Sequence, residues 1–204
     1  VLSSNMKKML KDNVLVRKLV GIETAGSLNV LLTDKTGTLT KGILKVTEFV
    51  TPDNKVFKDV SEVKKCKNYE VMYKSFYYNN ASIISDTGII GGNSTDRALM
   101  SFIGSDKNIK DKVIKKEPFD SKYKYSSVTL SNGVTYYKGA LEVIMPKCKK
   151  YLNSFGSEVV LVNKSVILKK INMYTKASGR VLVFAYGECF DELTLLGFVN
   201  IKDE

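Results

Sequence analysis

The chain has 204 residues, 44% of them apolar, so one large or two small domains with a real core are expected and disorder as the main state is excluded. A net charge of +11 suits an anionic partner, yet all but Arg17, Arg97 and Arg180 of the 32 basic residues are lysine; arginine is the better bidentate reader of phosphates and bases, so nucleic acid is not expected. No run nears the roughly 18 apolar residues that span a bilayer, the opening Val1 to Lys8 lacks a signal peptide's pattern, and Cys66, Cys148 and Cys189, without any histidine, make neither a disulfide framework nor a zinc site.

Residues 5 to 20 mix Leu10, Val14, Leu15, Leu19 and Val20 with lysines as a short amphipathic segment, and residues 21 to 27 read as a helix or loop leading into a buried strand at 29 to 33. The pattern then changes, which puts a domain boundary around residues 42 to 46. Residues 43 to 50 alternate as a strand, closed by turn residues at 51 to 54. Helical spacing covers 61 to 79 and 94 to 103, with Ser94, Thr95 and Asp96 supplying oxygens at the second helix's start. Strands follow at 113 to 118, 124 to 130 and 134 to 137, the last two joined by the hairpin signal Ser131-Asn132-Gly133. Residues 140 to 147 and 164 to 177 read as helices, and 158 to 162, 180 to 186 and 193 to 201 as strands. Together they predict an α+β domain built on an antiparallel sheet flanked by helices.

One turn stands out chemically. Asp34-Lys35-Thr36-Gly37-Thr38-Leu39-Thr40 follows the apolar run Asn29 to Thr33, so a carboxylate sits where a strand is expected to stop. An aspartate is ionised at neutral pH and needs no general base to act as a nucleophile. What it needs is an activated electrophile, and phosphoryl transfer is driven mainly by positioning and electrostatic stabilisation. Gly37 permits a tight turn, and Thr36 and Thr38 offer hydroxyl and main-chain groups beside a phosphate. Four residues of this turn alone would be an ordinary polar turn whose Asp bonds its own backbone.

The seven residues DKTGTLT resemble the phosphorylation motif of the P-type ATPases, ion pumps whose cycle passes through an aspartyl-phosphate, and Val14-Leu15-Val16-Arg17 with Gly21-Ile22-Glu23-Thr24 is similar to the segment preceding it there. The resemblance implies Asp34 as the phosphorylated residue, Lys35, Thr36 and Thr38 beside it, and Mg²⁺ held by Asp34 and the Thr36 carbonyl. It further implies an ATP site in a nucleotide-binding domain. Glu117-Pro118-Phe119-Asp120 through Ser127 resembles the segment whose phenylalanine stacks on adenine with a lysine five residues on, giving Phe119 and Lys124, with Lys122 a competing assignment. Asn93 to Leu99 resembles a helix start where a Thr-Glu pair meets the adenine edge, giving Thr95 and Asp96, or else a plain helix cap. Tyr137-Lys138-Gly139-Ala140 is similar to the family's Lys-Gly-Ala motif, in which Lys138 faces a phosphate and Gly139 allows close backbone approach. Gly179-Arg180-Val181 resembles the strand whose arginine reaches the phosphates.

The same resemblance divides the chain into 1–43, the first part of a Rossmann-like, haloacid dehalogenase-type phosphorylation domain; 44–198, the nucleotide-binding domain; and 199–204, a return hinge. Neither Thr-Gly-Asp nor Gly-Asp-Gly-x-x-Asn-Asp, the family's later motifs, occurs, so a soluble, monomeric cytosolic fragment is expected that binds ATP without turnover. Its partners would be the rest of the phosphorylation domain, an actuator domain and membrane helices of one pump, with calcium the favoured cargo. Two other readings remain: a soluble haloacid dehalogenase-like phosphatase, whose second Asp is replaced here by Thr36, and a nonenzymatic basic module binding nucleic acid or an acidic membrane.

Overall fold

The computed structural model describes residues 2–18, 20–30, 32–33, 38–39, 41–162, 164–177 and 179–203. It divides into two compact units, residues 1–39 and 40–204.

Unit 1 holds α1 (Leu2–Lys11) and α2 (Val20–Gly26). The amphipathic stretch is helical only to Lys11, because Asn13 turns left-handed at φ 61° and the Val14 amide closes back on the Met9 carbonyl at 2.8 Å. The buried strand expected at 29 to 33 is not formed among the described residues: Val30 is 72% and Leu32 92% exposed. Unit 1 has no second strand among those residues with which it could pair, and a lone strand leaves its backbone groups unsatisfied. Asp34, Lys35 and Thr36 lie outside the described residues, and Thr38 is an exposed turn residue.

Unit 2 is built on one large sheet. In chain order it contains β1 (Leu44–Val50), β2 (Val56–Phe57), α3 (Val60–Lys64), α4 (Tyr69–Tyr77), β3 (Ser82–Ser85), β4 (Gly88–Gly91), α5 (Ser94–Ile103), β5 (Val113–Asp120) and β6 (Tyr125–Leu130). There follow β7 (Thr135–Gly139), α6 (Leu141–Lys147), β8 (Cys148–Leu152), β9 (Glu158–Val160), α7 (Lys164–Lys176), β10 (Arg180–Gly187) and β11 (Leu193–Asp203). The sheet runs β2-β1-β11-β10-β7-β6-β5, all antiparallel; β8 joins β11 in parallel and carries β9. β3 and β4 form a separate hairpin.

Both faces of the sheet's centre are covered. Phe49, Phe184, Leu196 and Val199 pack against Met72, Tyr73 and Phe76 of α4 and Leu99 of α5, while Val183, Leu195 and Phe198 pack against Ile144 of α6 and Ile171 of α7. This is why Leu193 to Ile201 are buried without interruption instead of alternating with polar residues. The rings of Phe76 and Phe184 lie 4.3 Å apart at the middle of the first layer.

Several elements depart from expectation. The helix predicted over 61 to 79 is broken at Lys65–Asn68: Asp59 caps α3 through the amides of Ser61 and Glu62, and Asn68 is drawn away to donate to the Asn153 carbonyl. The β6–β7 hairpin forms, and only Gly133 adopts positive φ (81°), with Gly133 N–H on Leu130 O and Leu130 N–H on Val134 O. That is a three-residue loop, Ser131-Asn132-Gly133, ending in a left-handed glycine, at the place the sequence signal marked. Residues 199–203 continue β11, paired with β1 through Asp203 opposite Leu44.

Candidate functional site

A cleft of about 610 Å³ opens where the start of α5, the end of β5 and the end of β7 meet. Its floor is set by α5. Asn93, not Ser94, caps that helix, its Oδ1 accepting the Asp96 amide at 2.8 Å. Thr95 and Asp96 therefore stand inside the first turn with side chains not used as caps, and both line the cleft. Gly92 has φ +59°, and a Cβ there would meet Ser82 Oγ at 2.3 Å, so the chain can turn tightly into α5 only with glycine. Arg97 holds the same turn, donating to the Gly92 carbonyl at 2.8 Å.

Lys138 comes up from β7 to meet Asp96. Its Nζ lies 2.5 Å from Asp96 Oδ1, with the lysine 6% exposed overall. Burial pushes the lysine's pKa down, and the Asp96 carboxylate, which favours the charged form, offsets part of that. Removing either partner would leave the other charge buried and unpaired.

Phe119 is 55% exposed and forms one wall, its ring open to whatever occupies the cleft. It faces a second hollow on its other side, between Asp120 and Tyr125. The β5 register slips between Glu117 and Asp120, so ordinary strand alternation fails there and both Lys116 and Phe119 reach the cleft.

Thr95, Asp96, Phe119 and Lys138, four residues read from separate stretches of sequence, are thus brought together. Three others, and Lys122 as the competing assignment for Lys124, are not in the cleft lining. Gly139 is buried beside it, and its close backbone approach is to the chain itself: a Cβ would stand 2.6 Å from the Lys124 carbonyl, which accepts the Ala140 amide. Lys124 takes a left-handed conformation (φ 58°) and pairs with Glu142 at 3.0 Å. Lys122 lies over the Tyr123 ring, 5.4 Å from its centroid. Arg180 opens β10, exposed, two residues from the cleft-lining Leu182 on the same strand face.

Sequence reasoning missed Asn79, Asn80 and Lys116. Asn79 ties the wall together, donating to the carbonyls of Ser126 and Tyr136, both at 3.1 Å. Asn80 donates to the Asp96 carbonyl at 2.9 Å and accepts the Ser82 amide at 2.8 Å. Two adjacent asparagines after a helix full of tyrosines were the available signal, since buried amides in such a place must be fully bonded. No group of three or more metal-ligating side chains occurs among the described residues, and the two positions read as Mg²⁺ ligands, Asp34 and Thr36, are not among them.

A pocket with one exposed aromatic wall and an ion pair on its floor, in a chain of net charge +11, is suited to a flat heteroaromatic ring carrying anionic groups. Residues 68–204 match the family described as P-type ATPase, cytoplasmic domain N. Plasma membrane-type calcium-transporting ATPase 12 of Arabidopsis thaliana is 33% identical over 99% of this chain, and the calcium-transporting ATPase PAT1 of Dictyostelium discoideum 32% over 99%. Calcium-transporting ATPase 1 of Bacillus cereus is 30% identical over 91%. The fold is that of an α+β domain with an antiparallel sheet flanked by helices. The chain belongs to the P-type cation-transporting ATPase family, and residues 68–204 are its cytoplasmic domain N. It spans about a fifth of the length of these relatives. Among the described residues no helix is long and apolar enough to cross a membrane.

Proposed function

We propose that this chain supplies the ATP site of an ion-pumping P-type ATPase, with residues 1–43 contributing the start of a haloacid dehalogenase-type phosphorylation domain and Asp34 its phosphoryl acceptor. The observation that carries the reading is the convergence of Phe119, Thr95, Asp96 and Lys138 on one cleft. Phe119 stacks on the adenine, Thr95 and Asp96 meet its polar edge, and Lys138 supplies a cation. Gly139 of β7 and Arg180 of β10 flank the triphosphate path from the sheet, and Lys124 does so from the turn before β6.

Mg²⁺ bound at Asp34 and the Thr36 carbonyl would neutralise charge on the transferring phosphate. Lys35 and Thr38 support that turn. In the working pump, the rest of the phosphorylation domain, an actuator domain and membrane helices complete the cycle, with this portion in the cytosol. The relatives' names favour calcium as the transported ion. The 204 residues hold no Gly-Asp-Gly-x-x-Asn-Asp sequence, so as a monomer they bind ATP and accumulate no phosphoenzyme.

Calorimetric titration with ATP, with a short DNA duplex as comparator, tests this. Saturable one-site ATP binding is expected. Phe119→Ala, at an exposed position that leaves the core intact, should weaken it about tenfold, in line with the cost of losing an aromatic stacking partner. Lys138→Ala should weaken it further. Binding to DNA alone, or no effect of either substitution, would reject the cleft as the nucleotide site.

A further inference from the structure

The polar groups of the cleft divide into two sets. Asn79, Asn80 and Ser126 are committed to the fold: both Asn79 amide hydrogens go to backbone carbonyls, its oxygen accepts the Ser126 hydroxyl, and the Asn80 side chain is bonded at both ends. Glu117 also lines the cleft, but one of its oxygens pairs with Lys115 at 2.7 Å and the other accepts the Ser127 hydroxyl at 3.0 Å, so the charged groups left to meet a base are the Asp96 carboxylate and the ammoniums of Lys138 and Lys116. Lys138 occupies one Asp96 oxygen. Lys116 donates to the Asn80 carbonyl, 2.5 Å away, which uses one of its three N–H groups, and the residue stays exposed along the cleft wall. With Glu117 committed to Lys115 and Ser127, two cations face the one remaining carboxylate, and Lys116 keeps N–H groups that no acceptor of the cleft takes up.

We infer that Lys116 is a base-reading residue, its ammonium donating to a ring nitrogen of the bound adenine while Asp96 accepts from the neighbouring 6-amino group. This rests on the nucleotide reading of the cleft. Adenine's amino group has an acceptor on either side, N1 on one edge and N7 on the other. A carboxylate and an ammonium set side by side therefore match the base whichever edge it turns inward. Asp96 alone would meet the amino group and leave the ring nitrogen without a partner, and a desolvated acceptor left unmade weakens binding. The slip in β5 register that brings Lys116 and Phe119 onto one cleft sets a donor for the base edge beside the wall that covers its face.

The test is atomic substitution on both sides of the contact. Wild-type protein and Lys116→Met are titrated with ATP, 1-deaza-ATP and 7-deaza-ATP, each analogue lacking one ring nitrogen. Wild type is expected to bind one analogue about tenfold more weakly than ATP, the other little changed. Lys116→Met should bind ATP about tenfold more weakly and lose the distinction between ATP and that analogue. A merely structural lysine predicts the opposite: the analogue penalty is the same in both proteins, or the variant binds ATP as wild type does, and either result overturns the inference. If Lys116→Met loses its cooperative unfolding transition, the wild type alone decides, because equal binding of ATP and both analogues leaves nothing for Lys116 to read. Failure of wild type to bind ATP at all overturns the nucleotide reading and this inference with it, whereas ATP binding without variant or analogue effects overturns this inference alone.

Discussion

Asp111 shows how single side chains fix the segment leading into β5. Its carboxylate accepts the Ser131 hydroxyl at 2.7 Å and the Lys112 amide at 2.8 Å, and Lys74 of α4 lies 3.1 Å away, while its own amide donates to the Tyr78 hydroxyl. The Ser131 hydroxyl, then Lys74 and the Lys112 amide, outweigh partial burial and hold the Asp111 carboxyl below its ordinary range. A depressed folded-state pKa means that the stabilisation is present above the unfolded value, about 3.9, and is lost as pH falls through the folded one. Asp111→Asn should therefore lower the urea midpoint at pH 7, and the gap to wild type should close as the pH is taken below about 4. An unchanged gap at pH 3 would show that packing, not charge, is at work there. The cleft's own residues were legible to different degrees for a related reason. Phe119 and Lys138 sit in motifs whose residue types declare them, but Lys116 is one lysine among 29, and only the face of β5 on which it falls separates it from a solvated neighbour such as Lys115.

The elements of unit 2 that were legible are those whose periodicity survives in the fold. Strands 44–50, 180–187 and 193–203 and helices α5, α6 and α7 lie within a residue or two of their sequence-based bounds. The β3–β4 hairpin was not, because its Ile-Ile doublets at 83–84 and 89–90 do not alternate and Ile83 is 60% exposed. β8 was hidden by its lysines, since Cys148-Lys149-Lys150-Tyr151 reads as a helix end until the parallel pairing with β11 is seen. The 29–33 run is apolar enough for a strand, but periodicity cannot supply a partner. Gly197 deserves the same scrutiny within β11. It lies opposite Phe184 at a bulge with φ +144°, and a Cβ would meet the Val50 carbonyl at 2.4 Å and the Phe49 ring at 2.7 Å. Gly197→Ala should cost at least about 2 kcal/mol, from strain and from displaced core aromatics, read as a loss in denaturant midpoint with little change in slope. A variant as stable as wild type would mean that the bulge can relax.

At the scale of the whole molecule, the two units differ in how much of the site they hold. All cleft-lining residues lie in residues 40–204, and that unit contains every sheet strand and both apolar layers found among the described residues. Residues 40–204 expressed alone should unfold in one cooperative transition and bind ATP as the 204-residue chain does. A non-cooperative melt, or lost ATP binding with the fold retained, would show that residues 1–39 contribute to the site.

The pairing of β1 with β11 has a mechanical consequence. Leu44 and Asp203 face each other across the first rung of an antiparallel ladder, so chain arriving at one and departing from the other run side by side. Tension that spreads these two points would load the rungs one after another, as in opening a zipper, rather than shearing them all at once.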